Sequence, residues 1–301
     1  MTSSVVGVAC MSHSPGITGF PERADPWAAK AVLAGFDQLA DVVDEVDPDA
    51  FVMVSTEHFT NFFVANLPSF AVGTAAAYDL PASDAFASFL GIERRRYPGH
   101  PALGEAVYRG LLSQEFDPAL VAGGYGFDEA FAVPLTLLAR GRDVPVVPIV
   151  VNAVHAPYPS LARCHRLGAA IRRIVEAQGA AQRVMVLGTG GLSHWVGLPG
   201  AGTIDTEFDR RVLDAFEAGR AERLLSLSDA ELEASGNGAH EVRAWLVAAG
   251  AAGGAAFRTL AYEPVPAWLT GTAVAVADPA NGAASGTASG TRTSIQAGGR
   301  P

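Results

Sequence analysis

Val184-Met185-Val186-Leu187-Gly188-Thr189-Gly190-Gly191-Leu192-Ser193-His194-Trp195 is the stretch whose reading decides the fold. Its first four residues form an unbroken apolar run, the pattern of a strand buried on both faces. Gly188-Thr189-Gly190-Gly191 then allows a sharp turn and a close approach of the backbone to another group. His194 follows three residues after the last glycine. In open α/β sheets, ligand-holding groups gather beyond the carboxyl ends of strands, which places His194 where chemistry is expected. The plain alternative is a glycine turn that happens to precede a histidine.

The same arrangement recurs outward from this stretch. Residues 4–10 read as a buried strand that runs into Met11-Ser12-His13-Ser14-Pro15-Gly16. Residues 50–54 form a second, ending in Ser55-Thr56-Glu57-His58. Residues 144–151 form a third, followed by Asn152-Ala153-Val154-His155. Short strands are also expected at 69–72, 118–122 and 270–277. Between them lie helical patterns. Asp25-Pro26 reads as an N-cap with proline at the first helical position, opening an amphipathic helix through Val43. Further helices are expected at 101–113, 127–139, 160–177, 205–218, 228–234 and 239–249. Strands alternating with helices predict a three-layer α/β/α fold with a largely parallel central sheet. Residues 1–277 read as one domain and 278–301, rich in Gly, Ala, Ser and Thr, as a disordered tail.

Composition narrows the function. The 301 residues are 49% hydrophobic and 17% charged, enough apolar material for a sizeable core. A net charge of −10 argues against nucleic acid and anionic membrane surfaces as partners. Arg94-Arg95-Arg96 reads as a solvated surface. Cys10 and Cys164 are too few for a disulfide framework and lack metal-type spacing. The first residues carry no basic region leading into a signal core, and no apolar run reaches the ~18–20 residues that span a bilayer. A cytoplasmic protein is expected.

Of seven histidines, His13, His58, His155 and His194 each follow an apolar strand. Each alone is commonly structural, but parallel strands deliver their ends to one face. Two imidazoles and one carboxylate with open positions are the ligand set of non-haem Fe(II) oxygenases. His240-Glu241 offers the carboxylate, although taken alone it reads as a helix first-turn Glu favoured by the dipole. His165 between Arg163 and Arg166 reads as solvent-facing, and His100 as a turn residue. The dinucleotide pattern G-x-G-x-x-G fails because position 193 is serine. No P-loop, H-E-x-x-H zinc helix or G-x-S-x-G serine elbow is present.

Taken together the motifs resemble the class III, LigB-type extradiol ring-cleavage dioxygenases. That family includes protocatechuate 4,5-dioxygenase catalytic subunits and dihydroxyphenylpropionate 1,2-dioxygenases. The segments that carry the resemblance are Ser12-His13-Ser14-Pro15, Glu57-His58 with Asn61-Phe62-Phe63, and Val147–Asn152. They continue through Arg163-Cys164 with Leu167-Gly168, Gly188–His194, Glu207-Phe208-Asp209 and His240–Trp245. They run in family order from about residue 7 to 275. The resemblance implies Fe(II) held by His13, His58 and Glu241, with His194 as the acid–base histidine. It assigns Asn61, Asp128 and His155 to substrate binding. The implied reaction is cleavage of a catechol ring by dioxygen to a hydroxymuconic semialdehyde-type product, in aromatic catabolism. A homo-oligomer is implied, with or without a small partner subunit. One departure stands out: the family's Asp-His-Gly is here Asp128-Glu129-Ala130, so Glu129 replaces a second active-site histidine and becomes a candidate catalytic residue. A metal-binding relative with altered chemistry, zinc-dependent or non-enzymatic, is the alternative this substitution raises.

Overall fold

The computed structural model describes residues 3–277; the expected tail at 278–301 lies outside them. Ten strands are present among the described residues: β1 (Ser4–Met11), β2 (Ala50–Ser55), β3 (Phe70–Gly73), β4 (Ala77–Leu80) and β5 (Arg95–Pro98), then β6 (Ala119–Val121), β7 (Val146–Val151), β8 (Arg183–Thr189), β9 (Phe257–Val265) and β10 (Thr270–Ala277). Eight of them form one sheet in the order β6-β3-β7-β2-β8-β1-β10-β9. Its centre, β7-β2-β8-β1, is parallel throughout, while β3 joins β7, and β10 joins both β1 and β9, antiparallel. The stretch that begins at Val184 is therefore a central strand, flanked by the two strands that end in His13 and His58.

Successive side chains of these strands leave opposite faces, and both faces are covered. Val8 and Cys10 of β1, Val52 and Val54 of β2, and Val184 and Val186 of β8 feed one core. It is closed by helices Pro101–Leu112, Leu161–Ala177, Thr206–Glu217 and Val242–Ala252. Ala9, Met11, Phe51, Met53, Met185 and Leu187 feed the other, under helices Pro26–Val46 and Glu129–Leu138. A helix–sheet–helix sandwich follows from strands that are apolar on both sides. The Asp25 carboxylate caps Trp27 and Ala28 as its position before Pro26 predicts.

Several expectations are corrected. Strand β9 and the antiparallel β4–β5 pair, whose strands are joined through the helix Asp84–Leu90, stand outside the expected elements. The helix expected at 239–249 is a 3-10 turn, Asn237–Glu241, followed by helix Val242–Ala252. Glu241 thus sits at the junction rather than inside a first helical turn. Arg94 and Arg96 are exposed and Arg95 is half-buried, the solvated surface that was expected, and the three pair there with Asp84, Asp143 and Asp79. His100 caps helix Pro101–Leu112, its Nδ1 accepting from the Leu103 amide. His165 is half-buried, and its pKa is lowered by that burial. No described helix is long and apolar enough to cross a membrane.

Candidate metal centre

Three strand ends build the site. After β1, Ser12 is locked to β10 by its amide donating to the Ala273 carbonyl at 2.9 Å and its hydroxyl accepting from the Ala273 amide at 3.0 Å. The Ser14 hydroxyl donates to the Trp268 carbonyl at 2.8 Å. His13 is held between two anchored serines. After β2, the Glu57 carboxylate accepts from the Asn61 side chain at 3.1 Å and the Phe62 amide at 3.3 Å, folding the loop that carries His58. After β8, the Gly190 amide donates to the Met11 carbonyl and the Gly191 amide to Glu241 Oε2 at 2.6 Å. A Cβ on Gly190 would lie 2.8 Å from the Glu241 Cβ, so the glycines are what let the 3-10 turn bring Glu241 onto the strand end.

His13, His58 and Glu241 each offer one ligand atom, and the three atoms lie within 4.8 Å of one another. His13 Nε2 is 3.4 Å from Glu241 Oε2, and His58 Nε2 is 3.2 Å from Oε1. The other nitrogen of each ring is taken. His13 Nδ1 is 3.2 Å from the Thr189 hydroxyl, which itself donates to the Ala130 carbonyl. His58 Nδ1 is 3.2 Å from Asp128 Oδ2, which also accepts from the His58 amide at 2.8 Å. An Nδ1–H given outward to the Thr189 hydroxyl or the Asp128 carboxylate frees Nε2 to face a cation, the arrangement that outer partners impose on metal-ligating imidazoles. The donor set and the tautomers fit a divalent cation of the kind bound by two histidines and one carboxylate.

His194 stands beside the trio without joining it. Its Nδ1–H donates to the Leu192 carbonyl at 2.9 Å, and its Nε2 is 3.7 Å from Glu241 Oε1. Gly238 closes the far side of the ring: a Cβ there would fall 2.0 Å from Nε2. The Ser193 amide donates to the buried Asp209 at 2.7 Å, and the Ser193 hydroxyl accepts from the Asp205 amide at 2.8 Å, fixing the backbone on which His194 rides.

The charges are mutually compensated. Burial would raise the Glu241 carboxyl, but His13 and His194 beside it hold it well below the usual carboxylate range. Burial works to lower His58, and Glu129, Asp128 and Glu241 together carry it well above the ordinary imidazole value. His194 is likewise raised, burial being outweighed by Glu241 and the Leu192 carbonyl. Glu129 is raised by burial, partly opposed by His58. A cation at the centre would take over the neutralising role that protonated histidines otherwise fill.

The remaining sequence candidates divide. Glu129 reaches the cluster, its Oε1 3.4 Å from His58 Nδ1. Asp128 is there too, but its carboxylate is engaged by His58 and by the Ala130 amide it caps. The Asn61 side chain is consumed by Glu57 and by the Gly126 amide and carbonyl. His155 is exposed, and its ring meets only the Ala156 carbonyl among the described partners. His240 is fully buried, accepts from Arg243 at 2.6 Å, and is lowered to about 4 by burial and then by that guanidinium. Sequence reading missed Thr189 and the orienting role of Asp128; the latter's helix-capping position, just before Glu129, was the available signal. A groove of about 470 Å³ opens beside His58. A larger cavity of about 670 Å³, near Val6 and Ala277, is lined by none of these side chains.

Known proteins resemble this chain along nearly its whole described length. The profile of the family described as the catalytic LigB subunit of aromatic ring-opening dioxygenase matches residues 7–274. A 2,3-dihydroxyphenylpropionate/2,3-dihydroxicinnamic acid 1,2-dioxygenase of Klebsiella pneumoniae is 30% identical over 87% of this chain and 95% of its own length. A Pseudomonas putida protein of the same description is also 30% identical, with the same coverage. Among solved structures, an uncharacterized Escherichia coli K12 protein shares the fold, with a TM-score of 0.52 and 19% identity over 81% of this chain and 91% of that one. With the family profile spanning nearly every described residue and the site-bearing motifs all inside that span, the chain belongs to the LigB family of extradiol, aromatic ring-opening dioxygenases.

Proposed function

We propose that this enzyme holds Fe(II) at His13, His58 and Glu241 and uses dioxygen to open a catechol or substituted catechol next to its diol. The product is a hydroxymuconic semialdehyde-type compound. The observation that carries the reading is the convergence of those three ligand atoms within 4.8 Å, with the His194 Nε2 3.7 Å from Glu241. The reaction balances without a further reductant: one ring carbon–carbon bond breaks and both atoms of dioxygen enter the product.

Bound there, Fe(II) would supply Lewis acidity toward the two diol oxygens and bring dioxygen beside them. The protein does the rest. Gly191 fixes one oxygen of Glu241, leaving its orientation independent of the substrate. Thr189 and Asp128 fix the rings of His13 and His58. His194, with Nδ1–H committed to the Leu192 carbonyl, has Nε2 as its working nitrogen. It takes a proton from one diol hydroxyl and returns it later in the cycle, a role worth about 10²–10⁴ in rate. His13, Glu241 and His194 are nearly sealed from solvent, whereas a quarter of the His58 side chain is exposed, so substrate enters past His58.

The test is to load the protein anaerobically with Fe(II), add catechols and admit oxygen. A yellow ring-opened product should form with equimolar oxygen uptake, and labelled dioxygen should deliver both atoms to it. Neither product nor oxygen uptake across the panel would refute the proposal.

A further inference from the structure

We propose that Glu129 sets the substrate class of this site, accepting a hydrogen bond from a donor group on the bound diol and turning away diols that carry a carboxylate. The inference rests on the ring-cleavage reading and goes one step past it.

Glu129 opens the helix Glu129–Leu138 and reaches His58, the most exposed member of the cluster. Only 14% of its side chain is exposed, yet its Oε2 is buried with no hydrogen-bond partner in the protein. A buried carboxyl oxygen without a donor is costly, and no group of the protein offers it one, which leaves a bound molecule to do so. Asp128, the adjoining carboxylate, is already saturated by two amides and a ring nitrogen, which leaves Glu129 as the one with acceptor capacity to spare.

The fixed charges point the same way. Besides the histidines, the titratable groups at the cluster are Glu57, Asp128, Glu129 and Glu241, with the buried Tyr125 hydroxyl near Asp128 and Glu57. The ion pairs those carboxylates make among the described residues are with histidine only; Arg94 and Arg96 are taken by Asp84 and Asp79. A diol with an acidic chain would bring another negative charge next to Glu129 with no guanidinium or ammonium to receive it. Selection by repulsion of the wrong partner is a recognised route to specificity. An unsubstituted diol pays no such penalty, and an amine-bearing one gains a partner.

The experiment is anaerobic calorimetric titration of Fe(II)-loaded wild type, Glu129→Gln and Glu129→Ala, with iron content measured on the same samples. The probes are catechol, 2,3-dihydroxyphenylpropionate and 3-(2-aminoethyl)catechol. Glu129→Gln preserves shape and an acceptor oxygen while removing charge. Relative to catechol, the propionate should gain about tenfold in affinity in both variants and the amine should lose a similar factor, with iron unchanged. Identical probe ratios in all three proteins would overturn the inference and leave Oε2 to a water molecule. Loss of iron in either variant would overturn it too, making Glu129 a ligand. If no diol binds the iron-loaded wild type, the ring-cleavage reading itself fails and takes this inference with it.

Discussion

Replacing Gly238 with Ala adds one methyl group, and the structure says where it goes. The new Cβ would lie 2.0 Å from His194 Nε2 and 2.2 Å from Cδ2 and Cε1, well inside contact distance. Gly238 is not among the residues with a positive φ, so the backbone itself accepts alanine. The strain therefore falls on the imidazole. The ring cannot yield without breaking its 2.9 Å bond to the Leu192 carbonyl and moving Nε2 away from Glu241. A lost bond in a buried site costs about 1–3 kcal/mol, and so does overpacking by one methyl, giving roughly 2–4 kcal/mol because the two overlap. Turnover should fall by about 10²–10³, most of what a general acid–base group contributes. Iron content should hold, since His13, His58 and Glu241 are untouched. Stability is read from urea denaturation and turnover from single-turnover ring opening. The sharper assay is a double-mutant cycle. In His194→Ala the ring is gone, so adding Gly238→Ala should cost little further activity or stability. Full activity in Gly238→Ala alone, or the same loss in the His194→Ala background, would refute the packing argument.

Three further outcomes are expected. Asp128→Asn keeps the helix cap but weakens the acceptor for His58 Nδ1, so iron affinity should drop about 10–100-fold; an unchanged metal-binding isotherm would show that Asp128 does not orient His58. The buried Asp209 carboxyl is pushed up to about 6 by burial, against the Ser193 amide and Tyr262 hydroxyl that bond it. A folded pKa above the unfolded value of about 4 means that its stability contribution is complete below pH 4 and is lost as pH rises through 6, by about 3 kcal/mol at most. Asp209→Asn should lose less stability than wild type between those pH values, and parallel urea-derived curves would contradict the assignment. Arg243→Met should destabilise, because its guanidinium donates to the Pro159 carbonyl at 2.9 Å and to His240 at 2.6 Å and also pairs with Asp229; a melting temperature equal to wild type would show that network to be dispensable.

The central strands were legible because each is apolar on both faces and ends in glycine or a polar loop, so Val184–Leu187 could be placed without any contact information. The edge of the sheet was not. Strand β9 alternates poorly between buried and half-exposed positions and contains Pro264, features of an edge strand that period-two reading does not detect. The β4–β5 pair has four residues a side with the helix Asp84–Leu90 between them, and its Arg–Asp pairs with Asp79 and Asp143 link segments far apart in sequence. At the site, strand-end histidines announced themselves, but what each polar neighbour does was set by tertiary approach. The Asn61 side chain stitches the His58 loop to Gly126, a tertiary contact that nothing in its local sequence announces. His155 follows a strand like the others, yet β7 lies one strand further from β1, and its loop turns the ring to solvent. Glu241 read as a helix-start residue because nothing local shows that a 3-10 turn will press it against Gly190 and Gly191.

Metal content of five proteins purified and Fe(II)-loaded without oxygen tests the account most directly: wild type, His13→Ala, His58→Ala, Glu241→Ala and His194→Ala. Wild type and His194→Ala should each hold close to one iron per chain, while the other three lose most of it and remain folded by circular dichroism. Full iron in any of those three, or loss of iron from His194→Ala, would contradict the division between ligands and acid–base group on which the mechanism stands.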